Sequence, residues 1–298
     1  ELKLAYKVDV YARMPLSRAY YFIDASSGEL IGQKEILNFS DATGTAATAY
    51  SGSQTIHSDY TGTNYRLRDI TKGGGIITLH GESGQRGTNY TSTSANWVLT
   101  GTNIAALDAH YGVSQTYAFY MDNFGRNSYD NAGTALTSYV NDPTYTDNAF
   151  WDGSVLTYGD GDGSTYDALT SIEIVAHEFT HAVTEYSAGL IYSDESGALN
   201  EGTSDIFGVV IDYYANPTTA NFLMADNIAL NGNPPFRNFA NPNLTSNPDT
   251  YLGDFWDLGG EVHYNSTVYS HWFYLLTYGG FGTNDNGDAY NVTALGLA

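Results

Sequence analysis

The sequence predicts an α+β fold with a β-rich N-terminal lobe and a mainly α-helical C-terminal lobe. Short runs of alternating apolar and polar residues, separated by Gly-rich turns, occupy much of the first half of the chain. From Ser171 onward, apolar residues recur instead at spacings of three and four, which is typical of amphipathic helices. Strands followed by helices, without an internal repeat of fixed period, indicate two lobes of different architecture.

Two or three strands are predicted within residues 2–37. Apolar and polar residues alternate around Val8 and around Tyr21, and a third run begins at Leu30 after a Ser-Ser-Gly turn. Residues 40–53 are rich in Thr, Ala, Gly and Ser, which indicates a linker or an exposed strand.

Further short strands and turns are predicted up to residue 163, with one helix between them. Residues 54–100 contain short β-like runs, and residues 102–124 have a composition that suits a helix. Residues 159–163 are predicted to form a turn, because they lack the spacing and the distal Glu of an EF-hand loop. The strands after the helix are predicted at residues 137–140, 149–151 and 155–158.

Three helices are predicted in the second half of the chain. The first begins near Ser171 and is followed by Gly189, where a C-terminal cap is expected. The second spans about 199–214 and is followed by Pro217, and the third spans about 268–277. A Pro- and Asn-rich irregular stretch separates the last two helices.

Charge and composition exclude several classes of function. The chain of 298 residues carries 33 Asp and Glu against 11 Lys and Arg, which gives a formal net charge of −22. A nucleic-acid binder and a polybasic membrane anchor both require a basic surface, which this composition does not provide. No run approaches 18 apolar residues, so no membrane span is predicted. Because there is no Cys, a disulfide framework, a thiolate metal site and a Cys nucleophile are all excluded.

The strongest chemical signal is the sequence His177-Glu178-Phe179-Thr180-His181. On a helix, residues i and i+4 lie on the same face, so both imidazoles can reach one Zn²⁺. The Glu beside the first His can then reach a water held at the metal. The alternative is a pair of helix-surface histidines that bind no metal.

A catalytic zinc site needs a third protein ligand and an open fourth position. Glu201, on the next predicted helix, is the candidate for that third ligand. Asp205 lies four residues later on the same helical face, where its carboxylate can accept the second ring N–H of a zinc-bound His. Glu201 could instead favour the start of that helix, but this alternative does not explain Asp205 on the same face.

Residues 175–208 resemble the thermolysin-like neutral metalloproteases, in which an HExxH motif is followed on the next helix by Glu-x-x-x-Asp. The resemblance extends from about residue 41 to the end of the chain and implies a zinc-dependent endopeptidase, with the zinc in the cleft between two lobes. The motif positions here are His177, Glu178, His181, Glu201 and Asp205. Further matches lie at residues 148–151, 158–163, 189–192 and 262–266.

The resemblance implies a role for each motif residue. Zinc is expected to be held by His177, His181 and Glu201. Glu178 is expected to act as general base on the attacking water and then as general acid toward the leaving amine.

Residues outside the motif are also implied in catalysis and substrate binding. Tyr192 and His263 are expected to donate hydrogen bonds to the oxyanion of the reaction. Asn148 and the backbone of Ala149 are expected to hold the substrate main chain as an added strand, and Arg237 to bind a substrate carbonyl.

Two carboxylates are implied to orient histidines of the site. Asp205 is expected to orient His177, and Asp257 to orient His263. The loop between Asp257 and His263 is one residue longer than the usual family pattern.

Four apolar residues match the wall of the pocket that, in the family, accepts a bulky apolar side chain just after the scissile bond. The expected preference is therefore for a bulky hydrophobic residue at that position of the substrate. The matching residues are Tyr166, Leu169, Ile174 and Phe236.

Structural calcium is implied by a second group of residues. Glu173, Asp212 and Asp226 match calcium ligands of the family, and Asn221 can add another oxygen, which suits a hard cation. Because Leu223 stands near a position where some relatives have a further carboxylate, one calcium ion is expected here rather than two.

The resemblance also implies the organisation of the chain. Residues 1–40 correspond to the C-terminal end of a propeptide, residues 41–186 to the N-terminal catalytic lobe with the HExxH helix, and residues 187–298 to a truncated helical lobe. The expected partners are protein or peptide substrates and the chain's own propeptide, with no nucleic acid, and a monomer is expected. A secreted zymogen is expected. The composition, rich in Gly, Ser, Thr, Asn, Asp and Tyr and poor in Lys, is typical of secreted proteins, and the absence of Cys does not contradict this because bound metal can replace disulfides.

Two other functions stay open at the level of sequence. One is a catalytically inactive secreted binding module of the same fold, although Glu178 and all three candidate zinc ligands are chemically competent. The other is a zinc aminopeptidase with the same ligands, although such an enzyme needs an acidic anchor for a free substrate N-terminus and no such motif is found.

Overall fold

The computed structural model describes residues 3–13, 16–35 and 39–297. The helices are α1 (Ala105–Phe124), α2 (Ile172–Glu185), α3 (Asp194–Ala215), α4 (Val262–Asn265) and α5 (Thr267–Tyr278). The strands before α1 are β1 (Ala5–Arg13), β2 (Leu16–Asp24), β3 (Leu30–Glu35), β4 (Ser40–Ala47), β5 (Ser53–Tyr60), β6 (Tyr65–Arg66), β7 (Arg68–Asp69), β8 (Ile76–Glu82), β9 (Arg86–Asn89) and β10 (Thr91–Ser92). The strands after α1 are β11 (Leu136–Val140), β12 (Ala149–Trp151), β13 (Leu156–Tyr158), β14 (Leu223–Met224), β15 (Arg237–Asn238), β16 (Gly280–Thr283) and β17 (Ala289–Val292).

The first three strands form a separate antiparallel sheet in the order β1–β2–β3. Alternating residues place Val8 opposite Tyr21 across the first pair of strands. The strands predicted in this part of the chain are therefore confirmed. Residues 1, 2, 14, 15, 36–38 and 298, most of them within the predicted propeptide, lie outside the described residues.

The stretch 40–53, predicted to be a linker or an exposed strand, begins with the strand β4. It pairs with β5 along its whole length, from Ser40 opposite Tyr60 to Ala47 opposite Ser53. Together with β6 and β10 these strands make a four-stranded antiparallel sheet.

A six-stranded mixed sheet lies next to the long helices. β8, β11 and β13 are parallel neighbours, whereas β12 runs antiparallel to β13 and forms an edge of the sheet. Helix α1 packs against β8 and α2, and the core between these elements contains fully buried Leu136, Leu156 and Phe179. The edge of β12 is therefore held in place by a packed core behind it.

Helix α2 is buried along nearly all of its length and packs tightly against α3. At the crossing, a Cβ atom added to Gly208 of α3 would lie 2.6 Å from the backbone oxygen of Glu173 in α2. The absence of a side chain at Gly208 thus allows the two helix backbones to approach closely. This close crossing brings the polar residues of α2 and α3 together.

Helix α3 begins earlier than the sequence indicates. The prediction of a start near Leu199 is wrong, because the helix begins at Asp194 after Ser193, whose backbone is extended. Asp194 and Glu195 lie in the first turn, where carboxylates interact favourably with the helix dipole. Glu201 consequently lies well inside the helix, so its alternative interpretation as a helix-start residue is wrong.

The C-terminal part of the chain is dominated by α3 and α5, which pack on each other, with the short hairpin β16–β17 after α5. The predicted α+β fold, with a β-rich N-terminal lobe and a mainly helical C-terminal lobe, is confirmed. In the part of the chain that the structure describes, every helix is too short or too polar to cross a membrane.

Candidate active site

Helix α2 carries His177 and His181 one turn apart on the same face. Their Nε2 atoms lie 2.9 Å from each other, and the two rings are nearly perpendicular. The Glu178 side chain between them is buried but borders the cleft in front of the two rings. The arrangement follows from the helical repeat, which places residues i and i+4 side by side.

Helix α3 adds the carboxylate of Glu201 to the two imidazoles. Its Oε1 lies 3.2 Å from Nε2 of His181, and its Oε2 lies 3.4 Å from Nε2 of His177. Burial opposes ionisation of Glu201, but the two histidines and Arg237 hold its pKa well below the usual range. An ionised carboxylate therefore faces two ring nitrogens in the interior of the protein.

The donor set formed by His177, His181 and Glu201 fits a zinc ion. One ligand atom from each residue lies within 4.8 Å of the others. Oε2 of Glu201 is buried with no hydrogen-bond partner among the described residues, which is costly unless a cation or another donor reaches it. Two imidazoles and one carboxylate, with the cleft on the open side, match the ligands of catalytic zinc sites.

Each of the two histidines is approached by a side chain of α3. Oδ1 of Asp205, the neighbour that the resemblance implies, lies 2.9 Å from Nδ1 of His177. Asn200 was missed as a site residue: its Oδ1 lies 2.8 Å from Nδ1 of His181 and accepts its ring N–H in the corresponding tautomer. The helical repeat could have indicated Asn200, because it places Asn200 and Ser204 on the same face of α3. Ser204 also approaches Nδ1 of His181.

Arg237 has a contact that the sequence does not predict. Its Nη2 donates to Oδ1 of Asp205 at 2.5 Å, and both side chains are buried. Burial opposes ionisation of Asp205, but Arg237 and His177 lower its pKa below the usual range. The positive charge of Arg237 therefore lies against Asp205, whose carboxylate also approaches His177.

A cleft of about 620 Å³ opens in front of the two histidines. Asn148 and Ala149, at the start of the edge strand β12, form part of its wall, and the buried side chain of Glu178 also lines it. Tyr192 and His263 border the same cleft, on the side of the helical lobe. The structure thus brings together the predicted zinc ligands, general base, oxyanion donors and main-chain binding residues.

Tyr192 and His263 are linked to the zinc-ligand group by hydrogen bonds. The Tyr192 hydroxyl donates to Oε1 of Glu201, and Nε2 of His263 lies 3.2 Å from the same hydroxyl oxygen. Burial raises the pKa of Tyr192, and the charge of Glu201 raises it further. The hydroxyl of Tyr192 is therefore protonated at neutral pH, and in this structure Glu201 accepts its hydrogen bond.

The partner of His263 is not the predicted Asp257. Nδ1 of His263 lies 2.7 Å from Oε1 of Glu261, whereas Oδ2 of Asp257 accepts the backbone N–H of Glu261 at 2.8 Å. The loop conformation accounts for the difference, because it places Glu261 as the N-cap of α4, beside the imidazole. The sequence does not predict this contact, since the path of the loop decides which carboxylate reaches the ring.

A smaller cavity of about 140 Å³ lies beside the main cleft. Three of the four residues that the resemblance assigns to the pocket wall, Leu169, Ile174 and Phe236, line it together with Arg237. Met224 also lines it and was not predicted. Tyr166 stacks edge-on against Phe236, with ring centroids 4.6 Å apart, and borders a neighbouring hollow of about 340 Å³ instead of the small cavity itself.

The predicted calcium ligands are close enough to influence one another, but less closely grouped than the zinc ligands. Burial raises the pKa of Glu173 to about 7, and the charge of Asp212 adds to the rise. Burial likewise raises the pKa of Asp212 to about 6. Asn221 donates to Oδ2 of Asp226 at 2.8 Å. Among residues 3–13, 16–35 and 39–297, these side chains do not form a trio of acidic or His ligands within 4.8 Å.

Comparison with known proteins agrees with this geometry. Residues 43–185 match the family model of the thermolysin metallopeptidase catalytic domain, and residues 188–297 match that of the thermolysin metallopeptidase alpha-helical domain. The chain belongs to the thermolysin metallopeptidase family. The two matched domains meet between α2, with its two histidines, and α3, with Glu201.

Similar members of the thermolysin family include bacillolysin from Brevibacillus brevis, which is 38% identical over 99% of this chain and 55% of its own length. Thermolysin from Bacillus sp. strain EA1 is 35% identical over 93% of this chain and 54% of its own length. The chain thus spans about half the length of these relatives. A solved structure, the precursor of protealysin, a metalloproteinase from Serratia proteamaculans, has 29% identity and a TM-score of 0.57, and the match covers 67% of each chain.

Proposed function

We propose that the protein is a zinc-dependent endopeptidase that hydrolyses peptide bonds with an activated water molecule. The observation that carries this proposal is the convergence of His177, His181 and Glu201 at a cleft, with the Glu178 carboxylate beside them. The names of the relatives, bacillolysin and thermolysin, support the same activity.

The chemistry divides between the metal and the side chains of the chain. Zinc, when held by His177, His181 and Glu201, supplies Lewis acidity to a water molecule and to the scissile carbonyl. The Glu178 carboxylate accepts a proton from the attacking water and later delivers it to the leaving amine. In support of this role, Glu178 lines the cleft together with both histidines.

Charge that develops on the carbonyl oxygen needs hydrogen-bond donors. The Tyr192 hydroxyl and Nε2 of His263 lie 3.2 Å apart at the border of the cleft, close enough to donate to one substrate oxygen. Tyr192 does so by turning its single hydroxyl proton from Glu201 to the substrate. Such donors are most effective when they are already in place before the reaction begins.

The substrate is a protein or peptide chain that adds to the edge of the mixed sheet. β12 has a free edge toward the cleft, where Asn148 and Ala149 can hydrogen-bond an extended main chain. The main cleft and the smaller cavity both border His177 and Glu178, which leaves room for substrate residues beyond the scissile bond and favours cleavage of an internal bond. The small cavity lined by Leu169, Ile174 and Phe236 is the candidate pocket for a bulky apolar side chain after the scissile bond, and Arg237 beside it is the candidate contact for a substrate carbonyl.

A structural calcium ion is proposed near the junction of α2 and α3. Oε2 of Glu173 is buried without a hydrogen-bond partner among the described residues, and Asp212 lies close enough to raise its pKa. A hard cation that gathers the oxygens of Glu173, Asp212, Asp226 and Asn221 would compensate these buried carboxylates.

The organisation of the chain is also a proposal. We propose that residues 1–40 are the end of a propeptide, that residues 41–186 and 187–298 are the two lobes of a monomeric enzyme, and that the enzyme is secreted. In support, β1–β3 form their own sheet, and the family match to the catalytic domain begins at residue 43.

The test is casein hydrolysis by the full-length protein, with and without a zinc chelator, compared with Glu178→Gln. We expect both chelation and the substitution to remove activity, with roughly a 10²- to 10⁴-fold loss for Glu178→Gln. Glu185→Gln is the matched control, since Glu185 borders the same cleft from the same helix.

Activity that persists in the chelated sample or in Glu178→Gln would refute the zinc-peptidase proposal. A folded, zinc-loaded wild type that is inert would favour a binding module instead. Activity restricted to peptides with a free N-terminus would favour an aminopeptidase.

A further inference from the structure

We propose that Glu261 is the positioning residue for His263, holding its imidazole so that Nε2 faces the cleft. The proposal rests on the proposed peptidase function, in which His263 donates to the substrate oxygen. It assigns to Glu261 the role that the sequence resemblance implies for Asp257.

Two contacts join Glu261 to His263. Oε1 of Glu261 lies 2.7 Å from Nδ1 of the ring and accepts the backbone N–H of the same residue at 3.1 Å. A carboxylate can only accept hydrogen bonds, so Nδ1 carries a proton at this contact. Donation from Nε2 to a substrate oxygen therefore requires the imidazolium form, in which both ring nitrogens carry a proton. The backbone contact fixes the carboxylate as an N-cap of α4, and the ring contact then fixes the imidazole relative to the helix.

The ring depends on these hydrogen bonds because it is not packed into the core. The side chain of His263 is 52% exposed, so van der Waals contacts leave it considerable freedom to rotate. Its two ring nitrogens are held at opposite edges, Nδ1 by Glu261 and Nε2 by the hydroxyl of Tyr192. A charge-assisted hydrogen bond at Nδ1 is the stronger of these two restraints.

Asp257 contacts the backbone of Glu261 and does not itself hydrogen-bond the ring of His263. Its Oδ2 accepts the backbone N–H of Glu261 at 2.8 Å, and its own backbone exchanges two hydrogen bonds with the side chain of Asn265. A Cβ atom added to Gly259 would lie 3.0 Å from the same Oδ2. Asp257 therefore shapes the loop that presents Glu261, while Glu261 itself contacts the ring.

A double-mutant cycle on the full-length, zinc-loaded protein tests the proposal. His263→Ala removes a donor and is expected to lower kcat by roughly 10²- to 10³-fold. Glu261→Ala is expected to lower kcat by roughly 10- to 100-fold, as loss of an orienting partner of a histidine does in metal sites, with a small change in KM. In the His263→Ala background, Glu261→Ala should have no further effect, because its contribution passes through the ring.

Two further variants separate positioning from capping and from the alternative partner. Glu261→Gln keeps an acceptor of the same length and should recover most of the activity lost in Glu261→Ala. Asp257→Asn should lower kcat less than Glu261→Ala. Thermal unfolding of every variant shows whether a loss of activity reflects a loss of fold.

A spectroscopic measurement is independent of activity. The ring ¹⁵N resonances of His263, assigned by their absence in His263→Gln, should shift in Glu261→Ala and stay in place in Asp257→Asn. Wild-type protein that is inert on casein would refute the proposed function, and the ¹⁵N shifts would still decide the Glu261–His263 contact.

Three results would overturn the inference. They are ¹⁵N shifts of His263 that are unchanged in Glu261→Ala, a full additional loss when Glu261→Ala is combined with His263→Ala, and an Asp257→Asn variant that reproduces the Glu261→Ala defect in a folded protein.

Discussion

Arg237 and Asp205 form a buried ion pair directly behind the candidate zinc site. Nη2 of Arg237 lies 2.5 Å from Oδ1 of Asp205, and the same oxygen lies 2.9 Å from Nδ1 of His177. The guanidinium therefore neutralises the carboxylate that lies against a candidate zinc ligand, while it also lines the small cavity beside the cleft. One arginine thus connects the proposed substrate pocket to the proposed metal site.

Loss of this arginine is expected to affect both stability and zinc affinity. Arg237→Met leaves the Asp205 carboxylate buried without its cation, which costs about 3 kcal/mol of unfolding free energy. Adding Asp205→Asn should recover part of that loss, because the uncompensated charge disappears. Urea unfolding and zinc titration check both effects, with Arg86→Met as an exposed control. Equal stability of Arg237→Met and wild type would show that the pair has no structural importance.

The Tyr192 hydroxyl is expected to contribute to kcat more than to KM. Tyr192→Phe removes one of two donors to the substrate oxygen and should lower kcat by roughly 10²-fold. Steady-state kinetics on a peptide substrate measures the split, and zinc content shows whether the Tyr192–Glu201 hydrogen bond also supports the metal. Tyr186→Phe, at the exposed end of α2, should behave as wild type. A normal kcat in Tyr192→Phe would remove Tyr192 from the mechanism.

The calcium-free protein is expected to lose stability as pH rises from about 4.5 to about 7. The pKa of Glu173 rises from 4.5 in the unfolded chain to about 7 in the folded protein, so the folded state holds a proton that the unfolded state releases. The stability that this bound proton provides is fully present below the pKa of the unfolded chain. It is lost as pH rises through the pKa of Glu173 in the folded protein.

Glu173→Gln tests that pH dependence. The stability difference between pH 5 and pH 7.5 should shrink by on the order of 2 kcal/mol relative to wild type in calcium-free buffer. Calcium should raise the melting temperature of wild type but not of Glu173→Gln. Urea unfolding and thermal scans provide the measurements, and exposed Glu82→Gln is the control. An identical calcium response in Glu173→Gln and wild type would disprove the proposed calcium site.

The close crossing of α2 and α3 is expected to tolerate no side chain at Gly208. Gly208→Ala places a Cβ atom against the backbone oxygen of Glu173 and should destabilise the protein by roughly 1–3 kcal/mol. Zinc affinity should fall as well, because the shift separates Glu201 from the two histidines. Gly32→Ala is the control, since the nearest atom to its added Cβ is 3.8 Å away. Thermal unfolding and zinc titration would contradict the prediction if both variants matched wild type.

Cleavage specificity is expected to follow the small apolar cavity. A mixed peptide library should show a preference for Leu, Phe or Ile just after the scissile bond. Leu169→Ala should raise kcat/KM for larger side chains at that position, relative to Leu, by roughly 10-fold. Val98→Ala, on the exposed surface, should leave the profile unchanged. A flat wild-type profile at that position would reject the pocket assignment.

The sequence predicts relative positions correctly where both residues of a pair lie in the same helix or strand. The i, i+4 spacing of His177 and His181 and that of Glu201 and Asp205 are properties of single helices, so the helical repeat alone determines their faces. The alternation in β1 and β2 likewise predicts strands from local pattern. The start of α3 was predicted too late because its first turn is polar and carries no apolar periodicity.

Other features of the site depend on how separate elements meet. Glu261 replaces Asp257 at Nδ1 of His263 because a loop conformation, and not residue type, decides which carboxylate reaches the ring. Asn200, Met224 and the Arg237–Asp205 pair were similarly out of reach of the local pattern.

By itself, the sequence determined the α+β class, the candidate zinc ligands and Glu178, because these follow from periodicity and from residue chemistry within single helices. Only the tertiary structure decided that Glu201 meets the two histidines, which neighbour holds each ring, and which apolar side chains line the small cavity. The physical reason is that side-chain contacts between elements depend on helix crossing and loop path. Here those depend on details such as the missing side chain of Gly208 and the loop conformation that brings Glu261 to His263.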